Sequence, residues 1–496
     1  MSRRPRKLGP RLFGVRIWFL PSTRRKIFRF PVDTNSPPTA NREATISLLH
    51  NPSRRAFLTA GALAPLGLTS TALAGANARR KSCVFFFLFG GPSQIDLFDL
   101  KPNAPDNVRG EFKPIQTSAT GVHVCEHLPG LAAVADKVCL LRSMTHRMNV
   151  HGPACSEVFS GRPYFMAPIT DIASREDWPS LSSLTARYGP SGGVFPPSVV
   201  LPWHLQFPGQ PKRIAGQTGG RMGERHNAFL VEGDLGRTDY TIEGLDLPGD
   251  VSGQRLAERR TLLEKLQKGS AVRPDSGSLD SDRGHVYDLL GNKAGDVFDL
   301  RREPERVRDR YGRTTVGQSL LMARRLVEAG VSLVTVNWQD ETKNDGTNTC
   351  WDTHQDNFSK LKTLLCPIFD RAFPAFVSDL HDRGLLESTL VVAVGEFGRT
   401  PRLGQFTQSS NTRKTGRDHW PHAFTAIVAG GGVRGGRAYG ATTADAGYVA
   451  DNPVTPADLT ATILKHLGID HTQRYEDEFQ HLRNRLSDGE PIRDLY

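Results

Sequence analysis

Val84-Phe85-Phe86-Phe87-Leu88-Phe89, closed by Gly90-Gly91-Pro92, is the stretch on which the fold turns. A short, aromatic-rich apolar run stopped by turn formers suits a strand buried on both faces, as in parallel sheets. Similar runs recur at Ser332–Val336 and Leu390–Val394, with a weaker one at Ala426–Ala429. Helical patterns lie between them. Gln318–Ala329 sets Leu321, Leu326 and Val327 near one face and stops at Gly330. Phe358–Leu380 reads as one or two helices interrupted at Pro367 and Pro374, and Thr455-Pro456-Ala457-Asp458 opens a capped helix that stops at Gly468. Strands alternating with helices predict an α/β fold, a three-layer sandwich around a mostly parallel central sheet. From about Asp171 to Gly253 the chain is rich in Pro, Gly and Arg without periodicity, which predicts a loop-rich insertion, followed by a charged amphipathic helix over Arg255–Gln267.

The chain carries 63 Lys and Arg against 52 Asp and Glu, a formal net charge of +11. Thirteen of those basic residues, and only the acids Asp33 and Glu43, precede Arg79, so the remainder holds fifty of each sign. A balanced body without a basic stripe gives no electrostatic reason to bind a polyanion, and nucleic acid is not an expected partner.

The excess charge belongs to a leader. Ser53-Arg54-Arg55-Ala56-Phe57-Leu58 begins a modest apolar, small-residue stretch reaching Ala74, with Ala72-Leu73-Ala74 and Ala76-Asn77-Ala78 as small-x-small cleavage sites. That layout over residues 51–78 is that of a twin-arginine signal, cleaved or retained as an anchor. The expected partner is the twin-arginine export machinery, and the expected location is periplasmic or extracellular. Gly61, Pro65 and Gly67 dilute the stretch as a membrane span, and no span is expected in the mature chain. Residues 1–50 fit no usual signal: either the true start lies downstream or they form a basic tail. Six cysteines at irregular spacing, without CxxC, exclude a zinc-ribbon pattern and a small disulfide scaffold.

Ligands of parallel α/β sheets bind beyond the carboxyl ends of strands. The first run is followed by Gly90–Asp96 with Asp99 close behind, and Ser332–Val336 by Trp351-Asp352-Thr353-His354-Gln355-Asp356. Leu390–Val394 is followed by Gly395-Glu396-Phe397-Gly398-Arg399-Thr400, while Gly416-Arg417-Asp418-His419-Trp420-Pro421-His422 lies before Ala426–Ala429. Carboxylates mixed with imidazoles near successive strand ends suit a divalent metal with O and N ligands, such as Zn²⁺ or Mn²⁺. Arg399 and Arg417 either clamp an anionic ester or neutralise Glu396 and Asp418 in structural pairs.

At these motifs the sequence resembles an exported family known as domain of unknown function 1501, of the alkaline phosphatase/sulfatase superfamily. The matching stretches are Gly90–Asp99, Arg142–Gly161, Phe298–Gly330, Trp351–Phe358, Gly395–Pro401, Gly416–Pro421 and Val433–Leu467. The resemblance implies one or two divalent ions (Zn, Mn or Ca) on an α/β sandwich that hydrolyses phosphate or sulfate esters. It assigns the ligands in chain order to Asp96, Asp352 with His354, Glu396, and His419. Phe397 stands where the superfamily has a ligating His. At the superfamily's nucleophile position stands His151, since Pro153 falls in the matching place and Gly161 ten residues after His151. Imidazole serves as nucleophile, general base or metal ligand, but cannot become formylglycine, which argues against a standard sulfatase. Asn149, Thr145 and Cys155 lie nearby as substitutes. The resemblance thus implies a metal-dependent hydrolase of small-molecule or polysaccharide esters, with His151 and Arg399 catalytic. The alternative is a non-catalytic envelope protein that binds a ligand or partner on the same fold.

Overall fold

The computed structural model describes residues 80–164, 172–190, 194–206, 213–237, 240, 253–269, 295–339, 350–408 and 412–496. The extension and twin-arginine segment expected over residues 1–78 lie outside the described residues. None of the described helices is long and apolar enough to cross a membrane.

Eight strands make the central sheet: β1 (Ser82–Leu88), β2 (Val138–Met144), β3 (Ser198–Leu201), β4 (Phe229–Leu230), β5 (Leu333–Trp338), β6 (Thr389–Val394), β7 (Phe424–Ala429) and β8 (Arg437–Tyr439). Their spatial order is β8-β2-β7-β6-β1-β5-β3-β4. β7 alone pairs antiparallel, with β2 on one side and β6 on the other; the remaining pairs are parallel.

All seven residues of β1 are buried, and the pleat sends them alternately to two cores. Val84, Phe86 and Leu88 join Leu320, Leu326, Phe369 and Phe373 on one face. Cys83, Phe85 and Phe87 join Val158, Phe159, Ile463 and Leu464 on the other. The first face is covered by α2 (Thr315–Glu328) and α3 (Cys366–Asp382), the second by α1 (His151–Ser160) and α4 (Pro456–His466). These are the three layers expected.

Local chemistry sets the helix ends. Thr314 caps α2 through Gly317 N–H, and Thr455 with Asp458 forms a complete capping box on α4. One expectation fails: α3 runs through Pro374 without a break. Phe369, Phe373, Phe376 and Val377 around it are fully buried, and that packing outweighs the missing backbone bond. The irregularity falls earlier, as a π-helical turn over Leu361–Leu365 just before Pro367. The described part of the Asp171–Gly253 stretch contributes helix Leu181–Tyr188 and strands β3 and β4, of which β4 is the edge of the sheet. Cys83, Cys125, Cys139 and Cys366 are buried free thiols.

Because both faces of β1 are core, Phe85→Ala and Phe86→Ala should each destabilise the protein by roughly 3–5 kcal/mol. Denaturant unfolding of the two variants measures this; a cost below about 1 kcal/mol for either would mean that its face is not packed as described.

Candidate metal centre

The carboxyl ends of β1, β2, β5 and β6 lie at one edge of the sheet. Since β7 runs the opposite way, the segment entering β7 arrives at that same edge. This is how His419, which precedes its strand, meets residues that follow theirs. A two-residue ribbon pairs His419 with Arg399 and Trp420 with Gly398, locking the segment after β6 to the segment before β7. Gly91, at φ +76°, has its Cα so close to the Phe397 ring that a Cβ there would lie 2.6 Å from it; only glycine permits this approach.

His151, Asp352, His354 and His419 converge, each offering one donor atom, all within 4.8 Å of one another. The Asp352 carboxylate is the hub. Its Oδ2 lies 3.2 Å from His151 Nε2, and its Oδ1 lies 3.0 Å from His354 Nε2 and 3.2 Å from His419 Nε2. Behind each imidazole, Nδ1 has its own partner. His151 Nδ1–H donates to Glu396 Oε1 at 2.6 Å, and His419 Nδ1–H donates to the Asn149 carbonyl at 2.7 Å. His354 Nδ1 meets Thr412 Oγ1 at 3.1 Å. Three Nε2 atoms are thereby aimed at one carboxylate.

These contacts identify what is needed between them. A carbonyl oxygen only accepts, so the proton of neutral His419 sits on Nδ1. Burial, followed by the neighbouring His151 charge, holds the His419 pKa at about 3, so the ring is neutral and its bare Nε2 lone pair faces a carboxylate oxygen. Two lone pairs in that position repel. A divalent cation shared by the imidazoles and Asp352 removes the conflict, and the outer partners on Nδ1 are those that orient ligating histidines. Three nitrogens and one carboxylate oxygen fit Zn²⁺ or Mn²⁺ and not Ca²⁺, which takes oxygen ligands.

Asp352 is charged. Burial would raise its pKa, but Arg399 and then His151 hold it well below the usual carboxylate range. His151 responds in the opposite sense. Burial opposes its protonation, yet Asp352 and Glu396 raise its pKa to about 9.

Of the residues expected from sequence, Asp352, His354 and His419 are brought together as ligand-type atoms, and His151 joins them. Glu396 stands one step back, behind His151. It is fully buried, and both its oxygens also accept from Gly90 N–H, at 2.9 and 3.1 Å. Asp96 is not brought to the group. Arg417 holds it from both sides, Nε to Oδ2 at 2.8 Å and Nη2 to Oδ1 at 2.9 Å, and Ser93 and Asn357 also donate to Oδ2.

Neither arginine is presented to a substrate. Arg399 is fully buried and bonds Asp352 Oδ1, the Gly90, Gly91 and Arg417 carbonyls. Arg417 spends its remaining donors on the carbonyls of Thr400, Pro401 and Val108. Both arginines pair with carboxylates, but with Asp352 and Asp96 rather than Glu396 and Asp418. Phe397 lies against His419 and His151, with ring centroids at 4.4 and 5.1 Å, and closes that side with an apolar wall.

His146 is not among the site residues expected from the sequence. Its Nε2–H donates to the Glu396 carbonyl at 2.5 Å and its Nδ1 accepts from Met148 N–H at 3.1 Å. Burial holds its pKa at about 4, in keeping with that neutral tautomer. The apolar run Val138–Leu141 of β2, ending just before it, was the available signal.

The chain belongs to the family described as "Protein of unknown function (DUF1501)", whose model matches residues 80–496. No curated protein matches it in sequence. Among solved structures it is similar to Ps i-CgsB, at 11% identity over 83% of this chain and 75% of that one, with a TM-score of 0.39. It is also similar to the PsFucS1 sulfatase from Pseudoalteromonas sp. (13% identity, 80% and 70% covered, TM-score 0.35). A third is an alkaline phosphatase superfamily protein from Vibrio parahaemolyticus (12% identity, 79% and 67% covered, TM-score 0.35). These likenesses concern broad layout, and the chemistry rests on the residues above.

The raised His151 pKa sets a pH dependence for the metal-free protein. A group whose pKa rises from about 6.5 unfolded to about 9 folded contributes stability that is complete below the unfolded value. That contribution is lost as pH rises through the folded value. Chelator-treated protein should therefore lose thermal stability between roughly pH 6.5 and 9, and His151→Gln should flatten the slope. A flat wild-type profile would contradict the His151–Asp352–Glu396 arrangement.

Proposed function

We propose that this chain is an exported metal-dependent hydrolase of phosphate or sulfate esters, and that its ion is held by His151, Asp352, His354 and His419. One observation carries the proposal: three imidazoles, two of them with Nδ1 held by oxygens that can only accept a proton, aim Nε2 at one buried carboxylate. When bound, a divalent ion supplies Lewis acidity toward the ester oxygen.

The chain's own residues do the positioning. Glu396 keeps the proton of His151 on Nδ1 and leaves Nε2 for the ion. Arg399 balances Asp352, so the carboxylate stays ionised in a dry setting. Phe397 excludes water from one side. In this arrangement His151 is a ligand rather than a nucleophile, Glu396 orients it, and Asp96 supports the loop from a distance. The twin-arginine leader supports export, and a small-molecule or polysaccharide ester is the proposed substrate class.

A second function is favoured by one feature of the same centre. Four protein donors fill a tetrahedral ion, which is the pattern of a closed site, whereas catalytic sites keep a position open. On that basis the alternative is a ligand- or partner-binding envelope protein.

The full chain loaded with Zn²⁺ or Mn²⁺ should hold one ion per chain and turn over at least one of an aryl phosphate, a phosphodiester or an aryl sulfate. Asp352→Asn should abolish both, and Glu396→Gln should weaken metal affinity by about 10–100-fold. Stoichiometric metal without turnover on any substrate would contradict the hydrolase and leave the binding protein. Absence of metal at micromolar supply would contradict both.

A further inference from the structure

Arg399 and Arg417 are spent inside the fold, so an oxyanion reaching the centre needs another cation. We propose that Arg147 is that cation, a specificity-determining residue that meets the phosphate or sulfate group of the ester. The assignment rests on the hydrolase proposed above.

The segment Thr145–Val150 joins β2 to α1 and frames the centre. Thr145 N–H donates to the Val454 carbonyl at 2.9 Å and His146 N–H to the Pro421 carbonyl at 3.0 Å. His146 grips the Glu396 carbonyl, the Asn149 carbonyl receives His419 Nδ1–H, and His151 itself supplies a donor atom. Position 147 is therefore one residue from a contact to Glu396 and two from a contact to His419. Its backbone has little freedom to leave the rim.

On this pinned segment the Arg147 side chain is exposed, and among the described residues no hydrogen bond or ion pair engages it. The cations of the segment beside His354 differ. Arg413, whose N–H donates to the His354 carbonyl, has its side chain or backbone otherwise engaged, and Lys414 lines a groove shared with Glu111 and Glu126. A guanidinium presents its donors as a planar fork that matches two oxygens of a phosphate or sulfate. On a segment tied to Glu396 and His419, Arg147 is the cation whose fork would meet such a group, and among the described residues no carboxylate pairs with it.

The test is calorimetric titration of inorganic phosphate and of sulfate into the Zn²⁺-loaded full chain, with metal content measured on every sample. Wild type should bind at least one of the two. Arg147→Ala should keep its metal yet bind that anion about tenfold more weakly or worse, the loss of one charge-assisted contact. Arg147→Lys should recover part of the loss, and Arg413→Ala should behave as wild type. Equal binding by Arg147→Ala and wild type overturns the assignment while leaving the hydrolase standing, as does a loss confined to Arg413→Ala. Metal-loaded wild type that binds neither anion overturns the hydrolase and this assignment together.

Discussion

A carboxylate cut off from bulk water must be met by cations, and the arrangement of this site follows from how Asp352 is met. On one side it has the buried guanidinium of Arg399. On the other it faces three imidazole nitrogens, of which His419 is neutral with its proton committed elsewhere. One guanidinium does not satisfy that environment, because the His419 lone pair points at an oxygen already rich in charge. The position between them is one that a divalent ion could fill, and a proton on His151 is the substitute available without one. The same electrostatics thus ties metal binding to the protonation of a single histidine.

Topology makes the convergence available. Parallel strands β1, β5 and β6 deliver Gly90, Asp352 and Glu396 to one edge of the sheet, and the reversed strand β7 brings His419 there from the other chain direction. The ribbon of Gly398–Arg399 with His419–Trp420 then fixes Arg399 and His419 on the same carboxylate. Phe397 packs on the two histidines where another ligand would widen the centre. Asp96 is withdrawn by Arg417, whose five donors are all used. Both features confine the converging donors, among the described residues, to His151, Asp352, His354 and His419.

The layers were legible in sequence because Val84–Phe89 is an unbroken apolar run, a pattern that burial on both faces explains. Asp352, His354 and His419 were legible because they flank apolar runs at strand ends. Roles were less so. Whether a carboxylate touches the ion or stands behind a histidine depends on about one side-chain length, which strand position does not determine; Glu396 and His151 exchange places for that reason. The family resemblance puts Asp96 at the ion, and its pairing with Arg417 across 321 positions of the chain is a contact no local pattern announces. His146 is less legible, because the apolar run Val138–Leu141 is short and is followed by Arg142 and Ser143 before the chain reaches it.

The most direct test of the centre is anomalous diffraction from crystals of the full chain grown with Zn²⁺. The expected result is a single ion about 2.0–2.2 Å from the Nε2 atoms of His151, His354 and His419 and from an Asp352 oxygen, with Glu396 in contact with His151 alone. An ion bound instead by Asp96 or directly by Glu396, or no ion among the three histidines, would contradict the account.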